Sequence, residues 1–337
     1  MSETACETAA EGRPSGRTQE VLVRRARPAM GTLVGVSVRG SDQSILEQTI
    51  RGVFEEMERL EGILSEWRQD SAVSRVNLAA GEAPVRVPME LIEVMAVACE
   101  IASVTDGAFD ATWAPFSDVW KLDEPNFRPP TSEAIAAARK LVDYRDVVLD
   151  QRGQTVFLRR RGMRLGLGGI AKAYIAERAA DFAVASGIKH ILIDAGGDVV
   201  ARGRNGERPW TIGVRDPASP ARLLATVAIE DEVVATSGDY EHFVCVDGRR
   251  YHHLLDPRTG SPASTSRSAT VIAPRGALAE ALSTALFVTG PHGLGILSAF
   301  PKTAALLVDS DGVPHVTANG TQRFRTLGNQ TLIRGCP

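Results

Sequence analysis

Apolar residues recur along this chain with two periods, and the change from one to the other organises it. Leu46, Ile50, Val53, Met57, Leu60 and Leu64 stand at alternating intervals of four and three, which predicts one long amphipathic helix. Ser41-Asp42 just before it offer an N-cap. Further helices are expected from Pro88 to Val104, with Pro88 suited to the first turn, over 132–142 and over 169–186. LVGVSV at 33–38 alternates and is rich in β-branched residues, so it reads as a strand, and strands are also expected near 146–150 and 155–160. Beyond residue 188 strands dominate, over 189–194, 198–203, 210–215, 223–229, 243–246, 250–255 and 269–273. Helices at 276–288 and 292–299 and a strand at 303–308 close the pattern. Long helices grouped early and strands grouped late favour an α+β fold over a doubly wound sheet. Residues 1–19 carry almost no large apolar side chain and are expected to be a disordered tail, which leaves 20–337 as a single large domain.

Composition narrows the function classes. A chain of 337 residues that is 44% hydrophobic can bury a sizeable core. With 38 basic against 41 acidic side chains, it offers neither a broad nucleic-acid face nor a polybasic membrane anchor. No run approaches the ~18 apolar residues of a membrane span. The polar start lacks the apolar core of a signal peptide. Cys6, Cys99, Cys245 and Cys336 are too scattered for a zinc knuckle or a disulfide framework. Reduced thiols and a cytoplasmic location are the expectation.

Polar, glycine-bearing clusters stand out against this background. Gly166, Gly168 and Gly169 precede a helix, where free N–H groups suit a phosphate, though a plain tight turn uses the same residues. Gly196-Gly197 between two strands fits a hairpin turn. Ala235-Thr-Ser-Gly-Asp-Tyr240 reads either as a loop surrounding phosphate oxygens or as an ordinary turn. His252 and His253 lie close to Asp256, an arrangement for a base with an orienting acid; adjacent strand positions face opposite ways, so one site uses only one of them. Glu280 and Thr284 fall one turn apart on a helix. With a nearby carbonyl they form either a hard-oxygen set suited to Mg²⁺ or a capping pair.

The order and wording of these clusters resemble the ApbE-type FAD:protein FMN transferase family from Met30-Gly-Thr32 to about Gly290. ATSGDYEHFVCVDGRRYHHLLDPRTGSP is similar to the family's TSGDY…HIxDPxTGxP signature. Ser65-Glu-Trp-Arg-Gln-Asp-Ser71, Gly107-Ala-Phe-Asp110 through Pro115, Gly168-Gly-Ile-Ala-Lys172, Ala195-Gly-Gly-Asp198 and AEALSTALFVTG carry further likeness.

That resemblance implies an ApbE, T-fold-like α+β architecture with FAD between the helical and strand-rich parts. It implies Mg²⁺-dependent cleavage of FAD, and the extra methylene of Glu280 makes the larger Mn²⁺ the alternative ion. AMP is released and FMN passes to a Thr or Ser of an acceptor protein. Such acceptors carry an Asp-x-x-Ser/Thr-Gly-Ala-Thr type motif, which this chain lacks. By the same resemblance Met30, Trp67, Asp110 and Lys172 fall at flavin-nucleotide positions, with Trp67 available for stacking. Thr236, Ser237 and Gly238 would hold the pyrophosphate, while the Ala171 carbonyl, Glu280 and Thr284 would hold the metal. His253 aligns with the signature histidine, as base or transition-state stabiliser. Three positions depart from the family pattern: Gly166 and Glu280 stand where Asp is usual, and Ala173 where Gly is usual. The departures at 166 and 280 raise a non-catalytic FAD-binding protein as one alternative; an FAD pyrophosphatase, in which water replaces the acceptor hydroxyl, is another.

Overall fold

The computed structural model describes residues 20–327 and 333–334, so the expected tail over 1–19 lies outside the described residues. Met30 and Gly31 both take left-handed backbone, φ 51° and 71°. They make the two-residue turn that joins strand Val21–Ala29 to strand Thr32–Gly40, with Ala29 opposite Thr32. The second strand matches the expectation at 33–38. The first has no apolar alternation to announce it, because Arg24, Arg25 and Arg27 lie exposed on the outer edge of a sheet.

That sheet has nine strands, in the order Val21–Ala29, Thr32–Gly40, His190–Ala195, Asp198–Arg202, Val233–Gly238, Ser266–Ala273, Ala304–Asp309, Pro314–Val316 and Ile333–Arg334. Every pairing is antiparallel except the last. Its residues alternate between two cores. Val233, Ala235, Val271, Ala273, Ala305 and Leu307 join the larger core under the helices. Val234, Ile272 and Leu306 join a second core with Trp210, Val227 and Phe324, which come from a three-stranded sheet on the opposite face. The result is an α+β fold of helices, large antiparallel sheet and small sheet.

The helical layer comprises α1 (Gln43–Leu64), α2 (Ala72–Leu78), α3 (Met89–Val104), α4 (Ser132–Arg139), α5 (Ala171–Ala185) and α6 (Gly276–Thr289). Asp42 caps α1 as expected, its Oδ1 accepting from Ser44 N at 2.9 Å and Ile45 N at 3.3 Å. The whole predicted stripe from Leu46 to Leu64 is buried. Four expectations are corrected. The helix expected over 132–142 ends at Arg139, and the one over 292–299 is a 3₁₀ segment, Gly290–Ala299. The strand over 250–255 stops at His252. Residues 235–238, read as loop or turn, belong to the central strand Val233–Gly238, whose neighbours on both sides hydrogen-bond it. Among the described residues, no helix is long and apolar enough to cross a membrane.

Candidate active site

Ile170, the residue before α5, makes no side-chain cap. The backbone groups around the start of α5 are instead gripped by side chains from remote segments. Glu280 of α6, buried at 3% exposure, accepts the Ala173 N–H through Oε2 at 2.8 Å. Its Oε1 meets the Lys172 ammonium at 3.3 Å and makes no hydrogen bond. Lys172 also pairs with Oδ2 of buried Asp198, whose Oδ1 accepts from Thr236 N at 3.3 Å. Burial pushes the Glu280 carboxyl up, and the Asp198 charge adds to this while Lys172 opposes it. Burial works against the Lys172 ammonium, but the two carboxylates raise it on balance.

Ser237 faces this cluster. Its hydroxyl lies 3.0 Å from Ser283 Oγ and 3.3 Å from Thr284 Oγ1 on α6. A Cβ at Gly169 would come within 3.2 Å of Thr284 Oγ1, so the glycine loop runs directly against that hydroxyl. Strand geometry turns Thr236 to the other face, where it meets Thr270 at 2.9 Å. Thr236 and Ser237 therefore do not share one site through their side chains. Gly238 leaves room for the Tyr240 ring, which a Cβ would approach to 2.6 Å.

The histidines separate as their spacing requires. His252 is buried, its Nε2–H donating to Ala263 O at 2.9 Å and its ring edge-on to Phe287. His253 lies just past the strand, with ring and backbone both bonded to the His242 carbonyl at 3.2 Å. Because a carbonyl only accepts, Nδ1 carries the proton and Nε2 keeps a free lone pair. Desolvation of the ring, then neighbouring His242, His252 and Lys172, push its pKa down, although the residue reaches solvent. Asp256 orients neither histidine; its carboxylate is taken up by Arg258 at 2.8–2.9 Å, which corrects that expectation.

Trp67 is 78% exposed beside the half-buried Glu66, so it is no core residue. Met30, in its left-handed turn, donates its N–H to Glu61 Oε2 at 3.3 Å. Asp110 braces its own loop: Oδ1 accepts from Thr112 N and Oγ1 at 2.8 and 2.7 Å, and Oδ2 from Tyr144 N at 2.8 Å. A cavity of about 580 Å³ between residues 256–265 and the end of α6 is lined by Asp256 but by none of the residues expected to hold FAD or the metal.

The sequence model of the ApbE family matches residues 30–307, which spans every candidate residue above. The chain belongs to the ApbE family. It is 33% identical to the FAD:protein FMN transferase of Treponema pallidum, over 96% of this chain and 94% of that protein. It is also 33% identical to an FAD:protein FMN transferase of Klebsiella pneumoniae, over 79% of this chain and 81% of that one. Its fold is similar to the crystal structure of the ApbE protein of Thermotoga maritima, with TM-score 0.82 and 33% identity over 90% of this chain and 99% of that one. The apo flavinyl transferase ApbE of Pseudomonas stutzeri gives TM-score 0.80 and 29% identity over 92% and 99%.

Two of the three positions that the resemblance marks as departures have distinctive surroundings. A Cβ at Gly166 would fall 2.7 Å from Trp113 Nε1 and 3.1 Å from Ala114 Cβ, so only glycine fits. The longer side chain of Glu280 reaches the Ala173 N–H on the next helix. Among the described residues, no group of three or more His, Cys, Asp or Glu could hold a metal. The candidate oxygen set has one carboxylate, and its chemistry fits a hard cation: Glu280 Oε1 is buried with only the Lys172 ion pair and no hydrogen bond, and Thr284 lies one turn further on. Asp198 and Glu66 are the polar residues the motif reading left out of the site. Each stands next to motif residues it did single out, Asp198 after Gly197 and Glu66 before Trp67.

Proposed function

We propose that this chain transfers FMN from FAD to a Thr or Ser hydroxyl of an acceptor protein, releasing AMP, with Mg²⁺ or Mn²⁺ as the assisting ion. The observation that carries this reading is the convergence of Lys172, Asp198, Ser237, Glu280 and Thr284 on the N-terminus of α5, where Ile170 makes no side-chain cap. A helix N-terminus beside an ammonium is suited to a pyrophosphate. The family's transferase names supply the substrate class.

Glu280, Thr284 and the Ala171 carbonyl would hold the ion, which supplies charge neutralisation on the pyrophosphate. Lys172, Ser237 and the Gly168 and Gly169 N–H groups bind the phosphate oxygens. Thr236 contributes its backbone, through Asp198, and Gly238 the close approach of the strand end. Trp67 stacks on the flavin nucleotide, Met30 lines it, and Asp110 keeps the loop before Trp113 in shape. His253 Nε2 takes the proton of the acceptor hydroxyl. The hydroxyl oxygen bonds to the FMN-side phosphorus, the P–O–P bridge breaks, and AMP departs with the bridging oxygen.

The acceptor is read as a cytoplasmic protein with an Asp-x-x-Ser/Thr-Gly-Ala-Thr type motif. A second reading, FAD binding without turnover, is favoured by one observation: both Glu280 oxygens already face partners in the protein, Ala173 N and Lys172. One assay separates the possibilities. With FAD, Mg²⁺ and such an acceptor, a transferase yields AMP and protein-bound flavin, a pyrophosphatase yields AMP alone, and a binder yields neither.

A further inference from the structure

The strip Leu165–Leu167, which leads into the glycine loop, is held by groups from distant segments. Asn77 takes both backbone groups of Leu165, its Nδ2 donating to the carbonyl at 3.0 Å and its Oδ1 accepting the N–H at 2.7 Å. Gly166 N–H donates to Ala111 O at 2.8 Å, and Trp113 Nε1–H donates to Gly166 O at 2.9 Å. Leu167 N–H donates to Glu66 Oε2 at 2.5 Å. Leu167 is also where loop becomes helix, since its carbonyl accepts from Ile170 N at 3.0 Å and Ala171 N at 2.9 Å.

Position 166 cannot supply a side chain to this turn, because Trp113 fills the space a Cβ would need. The carboxyl that meets the turn comes instead from Glu66, just past the end of α1. We infer that Glu66 is a positioning residue of the nucleotide site: by accepting the Leu167 N–H it fixes the turn that places Gly168, Gly169, Ala171 and Lys172. Two carboxyl groups then bracket the start of α5, Glu66 on Leu167 and Glu280 on Ala173; between them Ile170 and Ala171 donate to the Leu167 carbonyl, and the Gly168, Gly169 and Lys172 amides are left for a ligand. Burial pushes the Glu66 carboxyl up to about 7, against which the Leu167 bond pulls it down. Accepting an N–H does not need the charge, so an amide at 66 should serve.

The inference rests on reading the α5 N-terminus as the FAD site, and the test keeps the two apart. FAD affinity is measured by calorimetry for the parent, Glu66→Gln, Glu66→Leu and Glu66→Asp, with amide hydrogen exchange over 167–173. Gln keeps the acceptor, Leu removes it, and Asp is one methylene too short to reach. Glu66→Gln is expected to bind FAD within about threefold of the parent, and Glu66→Leu and Glu66→Asp to weaken it about tenfold or more, with faster exchange over 167–173 only in those two. If Glu66→Leu does not fold, the Gln and Asp variants decide the matter between them. Parent-like FAD affinity in Glu66→Leu or Glu66→Asp, or a Gln variant as weak as they are, would overturn the positioning role alone. A parent chain that binds no FAD would overturn the reading of the site and the role with it.

Discussion

Glu177 and Glu280 cap each other's helices. Glu280 of α6 accepts the Ala173 N–H of α5 at 2.8 Å, and Glu177 of α5 accepts the Gly276 N–H of α6 at 2.7 Å. Neither helix has a side-chain cap of its own. A Cβ on Gly276 would lie 2.2 Å from the Ala173 carbonyl oxygen, so the two N-termini touch where the caps cross. Each carboxylate also complements the positive end of the helix it caps. The candidate site is thus built on a joint whose two halves hold each other.

Removing one half should be felt in stability before it is felt in chemistry. Glu280→Ala leaves a buried N–H without a partner and should cost about 2–3 kcal/mol, read from urea midpoints. Glu280→Gln keeps an acceptor for Ala173 and should cost less. Glu280→Asp withdraws the carboxyl by one methylene, so a lower melting temperature is expected together with retained Mg²⁺-dependent AMP release. Loss of AMP release with unchanged stability in Glu280→Asp would contradict the capping role.

The two adjacent histidines should separate into one that acts and one that supports. His253→Ala is expected to lose flavin transfer with little change in melting temperature, since its ring sits at the surface on one carbonyl. His252→Ala removes a buried ring that bonds Ala263 O and packs against Phe287, so it should cost about 1–3 kcal/mol while the folded protein still transfers. With the His253 pKa below the ordinary 6.5, the acidic limb of the rate profile should also lie below that value.

Trp67 provides the cleanest contrast between packing and binding. At 78% exposure, its replacement by Ala should leave stability within about 0.5 kcal/mol. FAD affinity should weaken by about 1–3 kcal/mol if the indole stacks on the ligand. Calorimetry at constant melting temperature checks both; unchanged affinity removes Trp67 from the site.

Glu66 sets a pH dependence whose sign follows from its raised pKa. The folded chain holds this proton up to about 7, whereas the unfolded carboxyl releases it near 4.5. The contribution to stability is therefore complete below the unfolded value and is lost as pH rises through the folded one. Glu66→Gln cannot ionise, so its urea midpoint relative to the parent should rise between pH 5 and pH 8. Parallel pH curves for the two proteins would contradict a raised carboxyl pKa at 66.

How far these features were legible follows from where each residue finds its partners. The stripe of α1 could be read because one helix buries one face, from Leu46 to Leu64. Strand Val21–Ala29 could not, because an edge exposes its arginines. Residues 235–238 looked like a loop or turn because their hydroxyls are satisfied by Thr270, Ser283 and Thr284, which arrive from other elements. The motif resemblance located Lys172 and Glu280, but not the ion pair between them. Asp198 acquires its meaning from Lys172, 26 residues away, and Glu66 from Leu167, 101 residues away. No local pattern encodes either pairing.

The central claim is that FMN moves from FAD to a hydroxyl on a protein. The most direct measurement supplies FAD and Mg²⁺ with an acceptor carrying the Asp-x-x-Thr-Gly-Ala-Thr segment, and with the same acceptor in which the modified Thr is Ala. AMP is quantified alongside the intact mass of each acceptor. The account predicts one AMP for each FMN gained by the Thr acceptor and no mass gain on the Ala acceptor. AMP release with no flavin on the Thr acceptor, or flavin on both acceptors alike, would contradict it.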